Sequence, residues 1–143
     1  AVRLRSVEEM MSKIACIDHV AITVGDLESI SAFYENLFDA KVVAEHAVKD
    51  LVLVRQLSLG TANLSIHQEG NGVALVAARP TPGAADICFR WRGDVQDVLD
   101  HLSAHRITPI EIPSPRTSAS GEAAISVFFR DPCGNLIELM ADA

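Results

Sequence analysis

Residues Ile17 to Val24 alternate strictly. Val20, Ile22 and Val24 fall on one side of an extended chain, and His19, Ala21 and Thr23 on the other. The pattern predicts a strand with one face to bury and one polar face that carries a histidine. A helix is expected at once: Asp26 suits its N-cap and Glu28 its first turn, where a carboxylate meets the positive end of the helix dipole. Leu27, Ile30, Phe33, Tyr34, Leu37 and Phe38 recur at three- and four-residue spacing and give that helix one apolar stripe. The stripe fits the dry face of the strand, which leaves His19 looking away from the helix. Residues 40–44 and 51–59 read as strands separated by a Lys49-Asp50 turn, and Gly60-Thr61 leads into Asn63-Leu64-Ser65-Ile66-His67. In that last segment Leu64 and Ile66 share one face while Asn63, Ser65 and His67 share the other. The unit is βαβββ.

The next stretch carries Gly70, Gly72, Pro80, Pro82 and Gly83, a composition that suits a connector, with an apolar middle from Val73 to Ala78. The pattern then repeats. Ile87, Phe89 and Trp91 alternate on a dry face, Gly93-Asp94-Val95 echoes Gly25-Asp26-Leu27, and Val95, Val98, Leu99 and Leu102 form a second helical stripe. A strand is expected over 107–112, a Pro/Ser-rich loop over 113–121, a strand over 124–129, a turn over 131–135 and a closing strand over 136–140. This second βαβββ unit follows the first by roughly seventy residues, and internal repetition of that kind fixes architecture. The expected fold is α+β: two βαβββ modules in tandem, forming a curled mixed sheet around a shared cleft with the helices outside. Module one spans 14–69, the crossover 70–84 and module two 85–141, all within a single domain of residues 14–143. Residues 1–13 read as a charged tail, short and helical at most, with Met10 or Met11 as a candidate native start.

Composition narrows the function. A chain of 143 residues with 49% hydrophobic content supports one domain with a real core. A net charge of −7 argues against nucleic acid or an anionic membrane as partner. No apolar run approaches the roughly 18 residues of a membrane span, and the first residues lack the apolar stretch of a secretory signal. Three widely spaced cysteines, Cys16, Cys88 and Cys133, read as reduced thiols in the cytoplasm.

The candidate chemistry comes from the repeat. Asp86 falls where His19 falls, and Glu138 falls near where His67 falls, so each module offers metal-competent side chains from its first and last strands. Two imidazoles and a carboxylate would make a mixed nitrogen and oxygen site suited to Fe, Mn, Co, Ni or Zn, and unsuited to calcium. Structural roles compete with this. Asp86 has Arg90, four residues on along the same strand face, as an ion-pair partner, or serves a ligating histidine as a hydrogen-bond acceptor. Glu138, set between Ile137 and Leu139, needs an arginine, a metal or a proton, and Arg90 and Arg130 are the available structural partners. His46, His101 and His105 read as surface residues, and Cys88 and Cys133 as packing and turn filling.

These segments together resemble the vicinal oxygen chelate superfamily of glyoxalase I, extradiol dioxygenases, fosfomycin resistance enzymes and bleomycin resistance proteins. The likeness covers about Ile17 to Met140. It rests on Ile17-Asp18-His19-Val20-Ala21-Ile22-Thr23-Val24-Gly25-Asp26-Leu27, Phe33-Tyr34, Pro80-Thr81-Pro82-Gly83, Asp86-Ile87-Cys88-Phe89, Pro115-Arg116-Thr117 and the run from Phe129 to Glu138. The segment around His67, with the Pro-Arg-Thr loop, is similar to the glyoxalase-domain-containing group that includes virulence-associated bacterial proteins. The resemblance implies His19, His67 and Glu138 as ligands of one divalent metal ion, with Asp86 replacing a histidine ligand of the dioxygenases and fosfomycin enzymes. Asp86 is then a fourth ligand, a neighbour of the ligands or, like Glu138, a general base. Arg116 is a candidate for gripping an anionic substrate group. The resemblance further implies a homodimer, in some members with the site built across subunits. It favours a glyoxalase-type lyase or isomerase acting on a small oxygen-rich substrate. The alternatives are a non-haem Fe(II) dioxygenase and a metal-free protein that sequesters a drug or metabolite.

Overall fold

The computed structural model describes residues 1–2 and 12–143; the short N-terminal helix considered above, with Met10 and Met11, lies outside the described residues. Module one runs β1 (His19–Val24), α1 (Leu27–Phe38), β2 (Lys41–Val48), β3 (Leu51–Leu59) and β4 (Ala62–Gln68). Module two runs β5 (Asp86–Asp94), α2 (Val95–Ala104), β6 (Ser114–Thr117), β7 (Ala123–Arg130) and β8 (Leu136–Asp142). Each forms an open four-stranded mixed sheet, in the orders β1-β4-β3-β2 and β5-β8-β7-β6. In each, the first and last strands of the module are parallel neighbours, and the remaining pairs are antiparallel. The two βαβββ units read from the sequence are therefore the architecture.

Local chemistry explains the punctuation. Asp26 caps α1 by accepting from the backbone N–H groups of Glu28 and Ser29, and Asp94 caps α2 by accepting from that of Asp97. Lys49 and Asp50 both take positive φ, 51° and 65°, as the tight hairpin between β2 and β3 requires. Gly83 closes the crossover at φ 78°, and a side chain there would stand 2.8 Å from the carbonyl oxygen of Cys133.

One expectation fails in module two. The stretch 107–112 is not a strand, and Ile110 and Ile112 are exposed. The strand is Ser114–Thr117, inside the segment read as a loop, paired with β7 alone. An edge position tolerates Pro115, which has no N–H to donate. Composition pointed to a loop there because prolines and serines dominate it.

The stripes of both helices join the dry faces of both sheets in one continuous core. Phe33 and Phe38 of α1 pack on Phe129 of β7, with ring centroids 6.4 and 6.5 Å apart, and Phe38 also meets Phe89 of β5 at 5.5 Å. Buried Tyr34 of α1 donates to the buried Asp131 carboxylate at the end of β7, 2.8 Å away. Burial and Asp131 both push the Tyr34 phenol upward, so it stays a neutral donor. His101 of α2, expected at the surface, is half-buried against the last turn of α1, whereas His105, the cap just past α2, is exposed as expected. The His101 ring contacts the Leu37 carbonyl and packs beside Trp91, while His105 Nε2 lies 3.1 Å from the Asn36 oxygen. Those carbonyls have no partner within the helix, and ring nitrogens supply it. Replacing Phe129, 1% exposed, with alanine should remove its ring contacts with Phe33 and Phe38 and lower unfolding free energy by about 3–5 kcal/mol, read from a urea transition.

Candidate functional site

Because the helices cover one face of each sheet, the polar residues singled out by alternation lie on the other. In module one, β1 and β4 run parallel with His19 opposite Asn63 and Thr23 opposite His67. The two histidines thus share a face but sit at different levels along the strands. They still sense one another: burial lowers the pKa of His67, and His19 lowers it further. His19 Nδ1 lies 2.7 Å from Asp18 Oδ1, which fixes the ring and leaves Nε2 outward. His67 Nδ1 is buried without any hydrogen-bond partner. It lines a cavity of about 140 Å³ with Thr23, Gly72, Val73, Val76 and Pro80, walled by the crossover.

In module two, Asp86 stands opposite Leu136, and Cys88 opposite Glu138, on parallel β5 and β8. Glu138 is held by its neighbours rather than by a cation. Ser126 Oγ, on buried Ser126 of β7, donates to Glu138 Oε2 at 2.6 Å. The Cys88 thiol stands opposite the same carboxylate, and partial desolvation together with the Glu138 charge pushes it up to about 11. Neither arginine considered for Glu138 takes that role. Arg90 donates to the Met140 carbonyl and to Asp142, and Arg130 donates to the Gly134 carbonyl. Arg90 is thereby also committed away from Asp86. Arg116 lies on β6, not in a loop, with its guanidinium 5.3 Å from the ring centroid of Phe128; Phe128 is directly opposite Glu138.

The structure brings His19 and His67 to one polar face, and Asp86 and Glu138 to another. It does not bring the two pairs together in one chain: among the described residues, no three His, Cys, Asp or Glu side chains stand close enough to hold a metal ion. Both faces open to solvent, and His19, Asp86 and Cys88 are exposed.

The donors nonetheless fit a divalent ion. A buried imidazole nitrogen without a partner is costly unless something occupies it. A histidine whose second nitrogen is held by a carboxylate, and a glutamate with one oxygen tied by a serine, are the usual companions of ligating groups. Asp18, Ser126 and Cys88 were not among the candidate site residues. Signals for them exist: an Asp-His dipeptide, a lone serine inside the apolar run Ile125–Phe129, and a thiol two residues after Asp86 on the same polar face.

No helix among the described residues is long and apolar enough to cross a membrane. The family model for the Glyoxalase/Bleomycin resistance protein/Dioxygenase superfamily matches residues 16–139. The chain is 35% identical over 123 residues to the virulence protein STM3117 of Salmonella typhimurium, covering 86% of this chain and 81% of that protein. The crystal structure of STM3117 superposes with a TM-score of 0.80 at 33% identity, over 92% of this chain and all of that one, 100%. A glyoxalase domain-containing protein of Mycosarcoma maydis, RDO1, is 32% identical over 132 residues, 92% of this chain and 71% of that protein. An integron cassette protein from the mobile metagenome of V. cholerae superposes with a TM-score of 0.81 at 34% identity, over 93% of this chain and 99% of that one. With tandem βαβββ modules, a family match across both, and relatives aligned over most of its length, the chain belongs to the Glyoxalase/Bleomycin resistance protein/Dioxygenase superfamily.

Proposed function

We propose that this chain is a divalent-metal-dependent enzyme of the glyoxalase type, a lyase or isomerase acting on a small oxygen-rich substrate. His19, His67 and Glu138 hold the metal, and a homodimer brings the histidine face of one copy against the carboxylate face of the other. The carrying observation is the buried, partnerless His67 Nδ1 in a module whose complementary carboxylates stand on the other, equally open sheet. Exposed apolar side chains support association: Val42, Val43, Val48 and Leu51 in module one's outer strands, with Ile17 and Val20 beside His19.

When bound, a divalent ion at these donors supplies Lewis acidity toward a substrate oxygen. The chain's own residues do the rest. Asp18 orients His19 so that Nε2 carries the lone pair, and Ser126 ties Glu138 Oε2, leaving the other oxygen outward. Asp86 and Glu138 are the bases on the module-two face available to take a proton from the substrate or return it. Arg116 offers a positive charge to an anionic substrate group from the Glu138 side of that face.

Metal content of the full chain, purified without added metal or an affinity tag, tests this reading by mass spectrometry. Near-stoichiometric metal, lost in His19→Ala and in Glu138→Ala, is the expected result. A chain that carries no metal as purified, and retains none after incubation with divalent ions, overturns it.

A further inference from the structure

Strand β6 places a second set of polar groups beside Glu138. Ser114 and Arg116 are two apart on one strand and share a face, and Ser114 pairs directly with Ser126, whose hydroxyl is already given to Glu138. Ser114 Oγ is buried and has no hydrogen-bond partner. Arg116 lies over the Phe128 ring and spends one donor on the carbonyl of neighbouring Pro115, 2.9 Å away. Among the described residues it makes no ion pair, whereas Arg90 is committed to Asp142 and Arg130 donates to a backbone carbonyl. A buried hydroxyl without a partner and a guanidinium without a counter-charge thus stand together, and both ask for an acceptor.

Resting on the reading of this face as the substrate face, we infer that Ser114 and Arg116 form a carboxylate subsite. The substrate is then a small acid that presents oxygen donors toward Glu138 and a carboxylate toward β6. The chemistry selects a carboxylate over a phosphate. One guanidinium and one hydroxyl match the two oxygens and single charge of a carboxylate. A phosphate dianion needs more donors and would face Asp86 and Glu138 on the same sheet. Phe128 holds the guanidinium by its ring face, so the fork is positioned before the ligand arrives.

The test compares α-hydroxyglutarate with α-hydroxyvalerate, which has the same carbon chain but ends in a methyl group, by titration calorimetry on the full-length chain with and without Mn(II). Mn(II) affinity is measured in parallel. The expected result is at least about tenfold tighter binding of α-hydroxyglutarate, a gap that Arg116→Ala abolishes and Ser114→Ala narrows, with Mn(II) affinity unchanged in both variants. Inorganic phosphate is expected not to compete. Equal binding of the two acids by the wild-type chain, survival of the gap in Arg116→Ala, or tighter binding of phosphate than of α-hydroxyglutarate would each overturn the subsite. Failure to bind Mn(II) strikes instead at the metal-enzyme reading, and on the metal-free chain the loss or survival of α-hydroxyglutarate binding in Arg116→Ala then decides the subsite alone.

Discussion

Co-expressed His67→Ala and Glu138→Ala chains are expected to rebuild a metal site that neither variant holds by itself. The expectation follows from the separation of the two donor pairs. If the histidine face of one copy meets the carboxylate face of the other, a two-fold dimer carries two equivalent sites, each drawing one module from each chain. In a mixed dimer one site loses both His67 and Glu138, and the other keeps both. Random pairing makes half of the dimers mixed, so roughly a quarter of the wild-type metal should return. Each variant alone should lose more than about 100-fold in metal affinity, since even partners of the ligands cost about 10–100-fold when removed. Bound metal per chain, measured beside the oligomeric state of each sample, reads the result. No recovery in mixed dimers whose parent variants are folded and dimeric would place the whole site in one chain and refute the shared arrangement. Ser126→Ala is the graded control: it frees Glu138 Oε2 and should weaken metal binding by about 10-fold without abolishing it.

The second large effect is on stability, at the junction between modules. Asp131→Ala should lower unfolding free energy by about 3–5 kcal/mol, because several buried donors lose their acceptor at about 1–3 kcal/mol each, a large share of the roughly 5–15 kcal/mol that holds a domain of this kind. The reason is the number of donors that one carboxylate satisfies. Asp131 accepts from the backbone N–H groups of Cys133 and Asn135, from Asn135 Nδ2 at 2.8 Å and from the Tyr34 hydroxyl at 2.8 Å. Asp131 is 4% exposed and Asn135 1%, so water cannot replace it without opening the core. Tyr34→Phe removes a single donor and keeps the ring, and should cost about 1–3 kcal/mol. The two substitutions share one contact, so their effects should fall short of additivity by about 0.5–3 kcal/mol in the double variant. Urea transitions of the three variants check this. Strict additivity would show that the Tyr34–Asp131 bond contributes nothing to joining α1 to the β7–β8 turn.

Much of this protein is legible in its residues taken in order. Period-two alternation identified β1, β4 and β5 and the face that each polar side chain takes. Three-and-four spacing identified both helices and their buried stripes, and Asp26 and Asp94 marked where those helices begin. These are local properties: neighbouring backbone geometry fixes on which side of a strand or helix a side chain lies, and the repeat of the pattern fixed the two modules. The motifs around His19 and from Phe129 to Glu138 added the family.

What tertiary structure alone decided is which groups meet across strands distant in sequence. β1 lies beside β4 and β5 beside β8, so partners come from register and strand order, which alternation does not encode. That is why Glu138 meets Ser126 and Cys88 instead of Arg90 or Arg130, and why His101 turns from the surface to the end of α1. β6 was missed for a related reason. An edge strand needs only one partner and little burial, so Ser114-Pro115-Arg116-Thr117 carries almost no hydrophobic signal. The separation of the His19–His67 pair from the Asp86–Glu138 pair is likewise a product of packing. Alternation assigns each polar residue to a face, but the direction each face points depends on how the two helix-covered sides close into one core.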